Sequence, residues 1–368
     1  GNREDYDMIY SYGITQIGPY HIKNNIVCQD AHYIMKISDQ CVIAAVADGL
    51  GSECYSDTAS KIASQTAVEY CAERYSPDLS DEDVNNLIAQ AFRISQCMIE
   101  ETCQKNRHEI TDYDTTLDLV IFNSGLVYFG HAGDSGIIVQ TDDGLYAPLT
   151  TQDRDEMGRV FPLCFEERWT FGKAEKNVAS VMLCTDGIFE IIFPFLLRDQ
   201  NPSIYVALAQ FFMDGEQLGF EENGEDAVRA DMTAFIENLQ ESQVNDDKTV
   251  VVLCDTSIGV TRQDETYYAV PDWERLTREH REKFFREAYP HMADKDLHIA
   301  AAQSDYAPES KTDKSIECLP ASDNNAQLDE KNPDAQNTES RDQDSHVPEP
   351  KHPLAKKLMQ KLGKKENQ

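Results

Sequence analysis

The chain has 368 residues, which is enough for one large domain with an appendage or for two domains. Its net charge of −33 argues against nucleic acid as the main partner, because phosphates would be repelled, and is compatible with divalent cations and basic proteins. We expect a soluble, cytoplasmic protein. No apolar run approaches the length of a membrane span, no secretory signal opens the chain, and its ten cysteines include no CxxC pair.

The first part of the chain predicts three strands followed by two helices. The strands are expected at Tyr10–Gly18, Ala31–Ile37 and Cys41–Ala47. Apolar residues at helical spacing predict a helix from about Asp57 and a second one over Asp81–Cys103. The second helix starts at Ser80 with a sequence like a capping box, in which Asp replaces the usual Glu.

From Thr115 onward the pattern changes to strands. Turn residues divide this region into two hairpins, Leu119–Gly130 and Gly136–Leu149, and two more strands are expected at Val178–Cys184 and Thr249–Cys254. Two helices, near Ile204–Met213 and Ala227–Ser242, separate those last two strands. Paired helices around antiparallel strands predict an α+β sandwich with the helices outside and the sheets inside.

The composition changes after about Gly259. Trp273–Tyr289 is highly charged with a helical period, and Ala301–Pro350 contains too few apolar residues to fold alone. The basic end, Lys351–Gln368, is either a solvated tail or a short amphipathic helix that docks on a partner, on acidic lipid or on the acidic body of the protein. We therefore expect a folded domain at residues 1–258, a charged helical extension at 259–300 and a tail at 301–368, with membrane contact only through the basic end.

Aspartates stand at the ends of several predicted strands. Asp48 follows Cys41–Ala47, Asp186 follows the Val178–Cys184 strand, and Asp134 and the pair Asp246–Asp247 stand at other strand ends. Mg²⁺ and Mn²⁺ prefer carboxylate and carbonyl oxygens, and short side chains on rigid strand ends hold such ligands in position. A single Asp-Gly pair after a strand is most often an ordinary turn. Four strand-end aspartate sites in one domain are poorly explained by turns alone.

Six short motifs carry a family resemblance. They are, in chain order, Gln29–Ala31, Ala47–Ser52, Asp114–Leu117, Gly130–Ser135, Cys184–Gly187 and Asp246–Val250. In identity and order they resemble the metal-dependent type 2C protein serine/threonine phosphatases, most closely the bacterial members, over about 250 residues. The resemblance implies a four-layer α-β-β-α sandwich with two antiparallel sheets between helix pairs.

The resemblance also implies a role for each aspartate. Asp48 would bridge two ions, with the Gly49 carbonyl on the first, and Asp186 and Asp246 would hold the second. Asp30 would order a metal-bound water, so that Asp30 and Asp48 are the implied catalytic residues. Asp134 would join Asp186 in a third metal site. Asp247 stands where the family often has Asn, which leaves open whether Asp246 or Asp247 is the ligand.

Three positions depart from the family pattern. Asn25 stands where many members have an Arg that grips the substrate phosphate; Lys23 and His21 are candidate substitutes, and the alternative is that both are ordinary surface residues. Leu50 stands where animal members have a His proposed as general acid, so the leaving-group proton would come from metal-bound water. Gly136 replaces a common Arg.

Two further features have alternative interpretations. His32 and His131 lie near the site in sequence, and the structural role is favoured over a catalytic one for both. Thr150–Lys176 falls where the family has a mobile flap, and the apolar residues Phe161–Phe165 and Trp169 are either a docking surface or packing.

These observations predict a metal-dependent phosphatase that hydrolyses phosphoserine and phosphothreonine on proteins, through a hydroxide held between two Mn²⁺ or Mg²⁺ ions. The alternatives are a pseudophosphatase that serves as a scaffold or regulatory binding protein on the same fold, and, less favoured, a phosphatase of small phosphomonoesters. The charged extension and tail suggest a dedicated partner such as a cognate kinase or its target.

Overall fold

The computed structural model describes residues 8–51, 53–175, 177–197 and 204–303, which contain two five-stranded antiparallel sheets. In chain order the strands are β1 (Ile9–Gln16), β2 (Asp30–Ser38), β3 (Cys41–Asp48), β4 (Leu117–Asn123), β5 (Leu126–Ala132), β6 (Gly136–Thr141), β7 (Tyr146–Pro148), β8 (Thr170–Lys173), β9 (Val178–Cys184) and β10 (Lys248–Asp255). One sheet has the order β1-β10-β9-β6-β7 and the other has the order β2-β3-β4-β5-β8.

Helices cover the outer faces of both sheets. In chain order they are α1 (Pro19–Asn24), α2 (Ser56–Arg74), α3 (Asp81–Asn106), α4 (Asp186–Ile192), α5 (Val206–Met213), α6 (Gly215–Leu218), α7 (Phe220–Asn223), α8 (Glu225–Glu237), α9 (Trp273–Ala288) and α10 (Asp294–Gln303). The described residues also form short 3₁₀ turns at Ile110–Tyr113, Glu166–Arg168 and Phe195–Leu197.

Alternate residues of each strand face different hydrophobic layers, which is how the fold acquires four layers. On β3, Val42 and Val46 pack between the two sheets, whereas Ile43 and Ala45 face α2 and α3. On β10, Val251 and Leu253 enter the layer between the sheets, while Val250 and Val252 face the helices on the other side. The predicted α+β sandwich is therefore confirmed.

The packing of α2 follows from its small side chains. Ala59, Ala63 and Ala67 are fully buried, so the helix lies close to β2 and β3. The capping box predicted for the next helix is present in part, because the Asp83 N–H donates to Ser80 Oγ at 3.1 Å.

Some elements differ from their predicted bounds. β1 ends at Gln16 and not at Gly18, because Pro19 begins the unpredicted helix α1. A Cβ on Gly18 would lie 2.2 Å from the Asp246 carbonyl carbon, so a glycine is needed where α1 approaches the start of β10. Helix α10 and strand β8 were not predicted either.

The charged extension packs on the outer face of the β1-β10 sheet. Its first segment hydrogen-bonds the β6–β7 hairpin, with the Thr261 N–H donating to the Asp142 carbonyl at 2.8 Å. The Trp273 ring then meets the Tyr205 ring edge to face at 6.0 Å between centroids. The predicted acidic tail beyond Gln303 and the basic end lie outside the described residues.

Among the described residues, no helix is both long enough and apolar enough to cross a membrane.

Candidate metal centre

The first two carboxylates of the site lie on one end of the β2-β3-β4-β5-β8 sheet. Asp30 begins β2 and Asp48 ends β3, and their Cα atoms are direct partners in the antiparallel register. The backbone of Asp48 is fixed by β4, since its carbonyl accepts the Thr116 N–H at 2.8 Å and the Thr115 hydroxyl at 3.0 Å. Both carboxylates are thus placed by sheet pairing and not by a loop.

Two more carboxylates come from the facing sheet. Asp186 is the first residue of α4, directly after β9, and Asp246 precedes β10, the strand that pairs with β9. Thr185 joins the two sheets at this end: its hydroxyl donates to Asp30 Oδ2 at 2.7 Å and accepts the Thr249 N–H at 3.1 Å. Asp30 is therefore held in one orientation by a strand of the opposite sheet.

Asp134 lies on the connection from β5 to β6, where the chain passes between the sheets. Oxygen atoms of Asp48, Asp134 and Asp186 all lie within 4.8 Å of one another. A second group with the same spacing consists of His21, Asp246 and Asp247. The structure thus brings the five predicted site aspartates, Asp30, Asp48, Asp134, Asp186 and Asp246, to one end of the sandwich.

The buried carboxylates of this cluster repel one another, which favours the binding of cations. Burial, together with the charges of the neighbouring aspartates, raises the pKa of Asp48 well above its ordinary value. The same two causes raise the pKa of Asp134 to about 6 and that of Asp186 to about 6. A set of desolvated carboxylate oxygens that repel one another fits hard divalent ions such as Mg²⁺ and Mn²⁺, whose binding would offset the repulsion.

Gly49 can bring only its backbone to the site. Its N–H donates to the Gln29 carbonyl at 3.1 Å, and a Cβ at this position would lie 2.5 Å from the Ser56 carbonyl oxygen. Any side chain would push the turn away from α2. The position after Asp48 therefore requires a glycine, which is compatible with the predicted carbonyl ligand.

Asp246 and Asp247 have different environments. Asp247 is buried and accepts the Gly18 N–H on Oδ1 and the Gln29 N–H on Oδ2, both at 2.7 Å, while His21 Nδ1 lies 2.9 Å from Oδ2. Burial raises the pKa of Asp247, but these hydrogen bonds outweigh burial and leave it below its ordinary value. Asp246 is exposed, and its Oδ1 accepts the Asp247 N–H at 2.7 Å.

The two candidate phosphate-binding residues lie in different places. His21 is buried beside Asp247 on α1, so the structure brings it to the carboxylate cluster. Lys23 points away to the surface, where its Nζ lies 2.6 Å from Glu241 Oε2. Asn25, at the position of the missing Arg, is the left-handed C-cap of α1 with φ of 55°.

Arg154 belongs to the site although no sequence motif indicated it. Its Nε donates to Asp134 Oδ2 at 2.7 Å, and its Nη2 lies 3.2 Å from Asp186 Oδ2 and 3.3 Å from Glu190 Oε1. Burial raises the pKa of Glu190 to about 7, although the Arg154 charge opposes that rise. In the sequence Arg154 is marked only by its position between Asp153 and Asp155, a pattern that is too common to identify a site residue.

His131 and His32 have structural partners. His131 Nδ1 lies 2.5 Å from Asp118 Oδ1, and its Nε2 lies 3.0 Å from the Thr151 carbonyl. Burial lowers the pKa of His131, but the Asp118 charge and the hydrogen bonds to Asp118 and Thr151 together outweigh burial, so the net shift is upward. His32 Nδ1 lies 2.7 Å from Thr15 Oγ1, and burial lowers its pKa to about 4. Both histidines thus connect neighbouring elements.

The predicted flap is anchored at both ends. Near its start, Arg154 forms an isolated β-bridge with Val160, and the Asp153 N–H donates to the Gly133 carbonyl at 2.9 Å. At its end, β8 pairs with β5, and the Trp169 ring packs edge-on against Phe92 at 5.5 Å. Trp169 is therefore part of the packing, whereas Phe165 is 38% exposed.

Comparison with known proteins points to one family. The family model described as protein phosphatase 2C matches residues 17–246. A search of curated proteins found no significant match to this chain.

Solved structures with a similar fold come from several phosphatases. A point variant of a bacterial serine phosphatase aligns at 15% identity and a TM-score of 0.47, covering 68% of this chain and 99% of that one. Serine/threonine phosphatase Stp1 from Staphylococcus aureus aligns at 14% identity and a TM-score of 0.46, covering 69% of this chain and 98% of that one. Serine-threonine phosphatase 2C from Toxoplasma gondii aligns at 17% identity and a TM-score of 0.45, covering 66% and 94%.

Proposed function

Since the chain belongs to the protein phosphatase 2C family and is a protein-serine/threonine phosphatase, we propose that it hydrolyses phosphoserine and phosphothreonine esters with two Mn²⁺ or Mg²⁺ ions held by its strand-end carboxylates. The observation that carries this proposal is the convergence of Asp48, Asp134 and Asp186, whose oxygens lie within 4.8 Å of one another. The family is metal-dependent and acts on phosphoproteins. The ion number and the residue roles are the proposed part.

The proposed ligands lie at or next to the ends of paired strands. Asp48 and the Gly49 carbonyl would hold the first ion, and Asp48, Asp186 and Asp246 the second. When bound, such ions supply an activated water and neutralise the oxygens of the reacting phosphoryl group. Asp30, held by the Thr185 hydroxyl at 2.7 Å, is the proposed acceptor that orients the attacking water.

We assign Asp247 a supporting role. Both of its oxygens already accept hydrogen bonds from the protein, so few lone pairs remain for an ion. The Asp247 carboxylate accepts from Nδ1 of His21, so the Nε2 atom donates to a phosphate oxygen when the ring carries its positive charge. His21 is therefore the better candidate for a contact to the substrate phosphate, and Lys23, which pairs with Glu241, remains the weaker one.

Two further proposals concern the partner of the chain and its location in the cell. We propose that residues 304–368 address a dedicated partner, a cognate kinase or its target, because their composition is charged and polar in a chain whose folded part already carries the site. We also propose a cytoplasmic location, which is supported by the free thiols of eight of the nine cysteines in the described part of the chain, Cys54 being the exception.

The test is release of phosphate from a phosphoserine or phosphothreonine peptide by the full chain in Mn²⁺, in Mg²⁺ and in a chelator. Asp48→Asn removes the charge of a proposed metal ligand with little change in volume and is expected to lower turnover by more than about 100-fold. Asp78→Asn, which changes an exposed aspartate in the loop between α2 and α3, is the matched control.

Turnover that survives in Asp48→Asn or in the chelator would contradict the proposed function. If Mn²⁺ raises the melting temperature of the wild-type chain but no phosphopeptide is turned over, the pseudophosphatase alternative replaces it. Equal turnover of wild type and Asp78→Asn confirms that any loss reflects the site and not the net charge.

A further inference from the structure

A guanidinium group lies inside the carboxylate cluster. The Arg154 side chain is 17% exposed, Asp134 is 2% exposed, and the Arg154 Nη2 atom lies 2.6 Å from Asp134 Oδ2. The same nitrogen lies 3.2 Å from Asp186 Oδ2 and 3.3 Å from Glu190 Oε1. One cation therefore contacts three carboxylates, two of which also belong to the cluster with Asp48.

A metal ion between Asp134 and Asp186 would compete with this guanidinium. A divalent ion of this kind sits about 2.1 Å from each carboxylate oxygen, which is closer than a hydrogen-bonding nitrogen. Arg154 already engages Oδ2 of both Asp134 and Asp186, and it stays charged at any physiological pH. The two cations are thus alternatives at one place.

The polypeptide holds Arg154 at this place from several sides. Its backbone bridges Val160, and its neighbour Asp153 pairs with Arg168 and donates its N–H to the Gly133 carbonyl. The guanidinium carbon also lies 5.3 Å from the centre of the Phe195 ring. A cation fixed in this way acts at a high effective concentration, which a free ion has to overcome.

We infer that Arg154 is a built-in cation that replaces a third metal ion between Asp134 and Asp186, so that this chain binds two divalent ions and not three. This inference rests on the proposed function, because it presupposes the two-ion site. Arg154 is a positioning residue: it neutralises Asp134, orients Asp186 for the proposed second ion, and connects the flap to the site. Glu190 is the third carboxylate that contacts the Arg154 guanidinium.

The experiment counts Mn²⁺ bound per chain at saturation, by equilibrium dialysis and elemental analysis of the full-length protein. Wild type is expected to bind two ions and Arg154→Ala three, because the substitution frees the oxygens of Asp134 and Asp186. Arg154→Lys, which keeps a cation, is expected to bind two. Arg159→Ala is the matched control, since Arg159 lies five residues further along the same segment and its exposed side chain pairs with the nearby Asp155.

The double variant Arg154→Ala/Asp134→Asn is expected to return to two ions, because it removes a ligand of the new site. If Arg154→Ala fails to fold by circular dichroism, Arg154→Gln takes its place, since glutamine is polar but uncharged. Three ions in wild type, or the same number in wild type and Arg154→Ala, would overturn the inference while leaving the proposed function in place.

A wild-type chain that binds no Mn²⁺ would instead overturn the proposed function, and the inference with it. Steady-state kinetics are an independent measurement, because the loss of a residue that binds substrate and the loss of a cation within the metal site change KM, kcat and the ion number differently. An Arg154→Ala variant with a higher KM, an unchanged kcat and an unchanged ion number would show that Arg154 binds substrate, and would also overturn the inference.

Discussion

At the scale of single residues, the consecutive aspartates Asp246 and Asp247 have different roles because different groups contact their carboxylates. Asp247 accepts hydrogen bonds from two backbone N–H groups and pairs with His21, so it joins α1 and β2 to the start of β10. Asp246, one residue earlier, is exposed and belongs to the proposed metal site. The sequence could not separate them, because the donors that occupy Asp247 are more than 200 positions away along the chain.

The two roles predict opposite effects of the same substitution. Asp247→Asn places an NH₂ group against a backbone or imidazole donor, and we expect it to lower the free energy of unfolding by about 1–3 kcal/mol while Mn²⁺ affinity is retained. Asp246→Asn is expected to keep the stability and to weaken Mn²⁺ binding. Chemical denaturation in a chelator and calorimetric titration with Mn²⁺ measure both quantities. Weakened Mn²⁺ binding in Asp247→Asn with full stability would show that Asp247 is the ligand.

At the scale of elements, the flap depends on a buried aromatic contact with α3. Phe92 is fully buried, and Trp169 and Phe171 pack edge-on against it at 5.5 and 5.4 Å. Strand β8, which carries Phe171, pairs only four residues with β5, so side-chain packing contributes much of its attachment. The sequence predicted no strand in the flap region, since a strand of four residues with one glycine has too short a pattern to be recognised.

Removal of that contact is expected to destabilise the flap and the domain together. Phe92→Ala should lower the free energy of unfolding by about 3–5 kcal/mol, because it opens a cavity under β8. Phe165→Ala, at a residue that is 38% exposed, is the control and should change stability by less than about 0.5 kcal/mol. Denaturant unfolding of both variants measures the difference. Equal effects of the two substitutions would contradict the assignment of Phe92 as the anchor of the flap base.

At the scale of the whole molecule, the carboxylate cluster belongs to the folded domain and not to the charged segments that follow it. The extension is attached to the domain through Tyr267, whose hydroxyl accepts the Tyr146 N–H at 2.7 Å, and through Trp273. Residues 304–368 are interpreted from composition alone. The carboxylate cluster needs neither of them, since each of its members lies before residue 248.

A chain that ends at Gln303 tests the partner proposal at this scale. We expect it to hydrolyse a short phosphopeptide as fast as the full chain, because the catalytic domain and its packed extension are intact. In cells, the phosphorylation sites that accumulate with Asp48→Asn are expected to accumulate with the shortened chain also. Quantitative phosphoproteomics compares the two. Normal dephosphorylation of those sites by the shortened chain would show that the tail does not direct it to its substrate.

The sequence by itself determined the α+β sandwich, most strand and helix positions and the set of strand-end aspartates. These depend on hydrophobic periods and on short motifs that are local in the chain. The tertiary structure alone decided that Asp247 accepts hydrogen bonds from distant backbone N–H groups, that His21 and not Lys23 reaches the cluster, and that Arg154 lies between Asp134 and Asp186. The physical reason is the same in each case: hydrogen bonds and ion pairs between distant segments form only when both sheets have been assembled face to face.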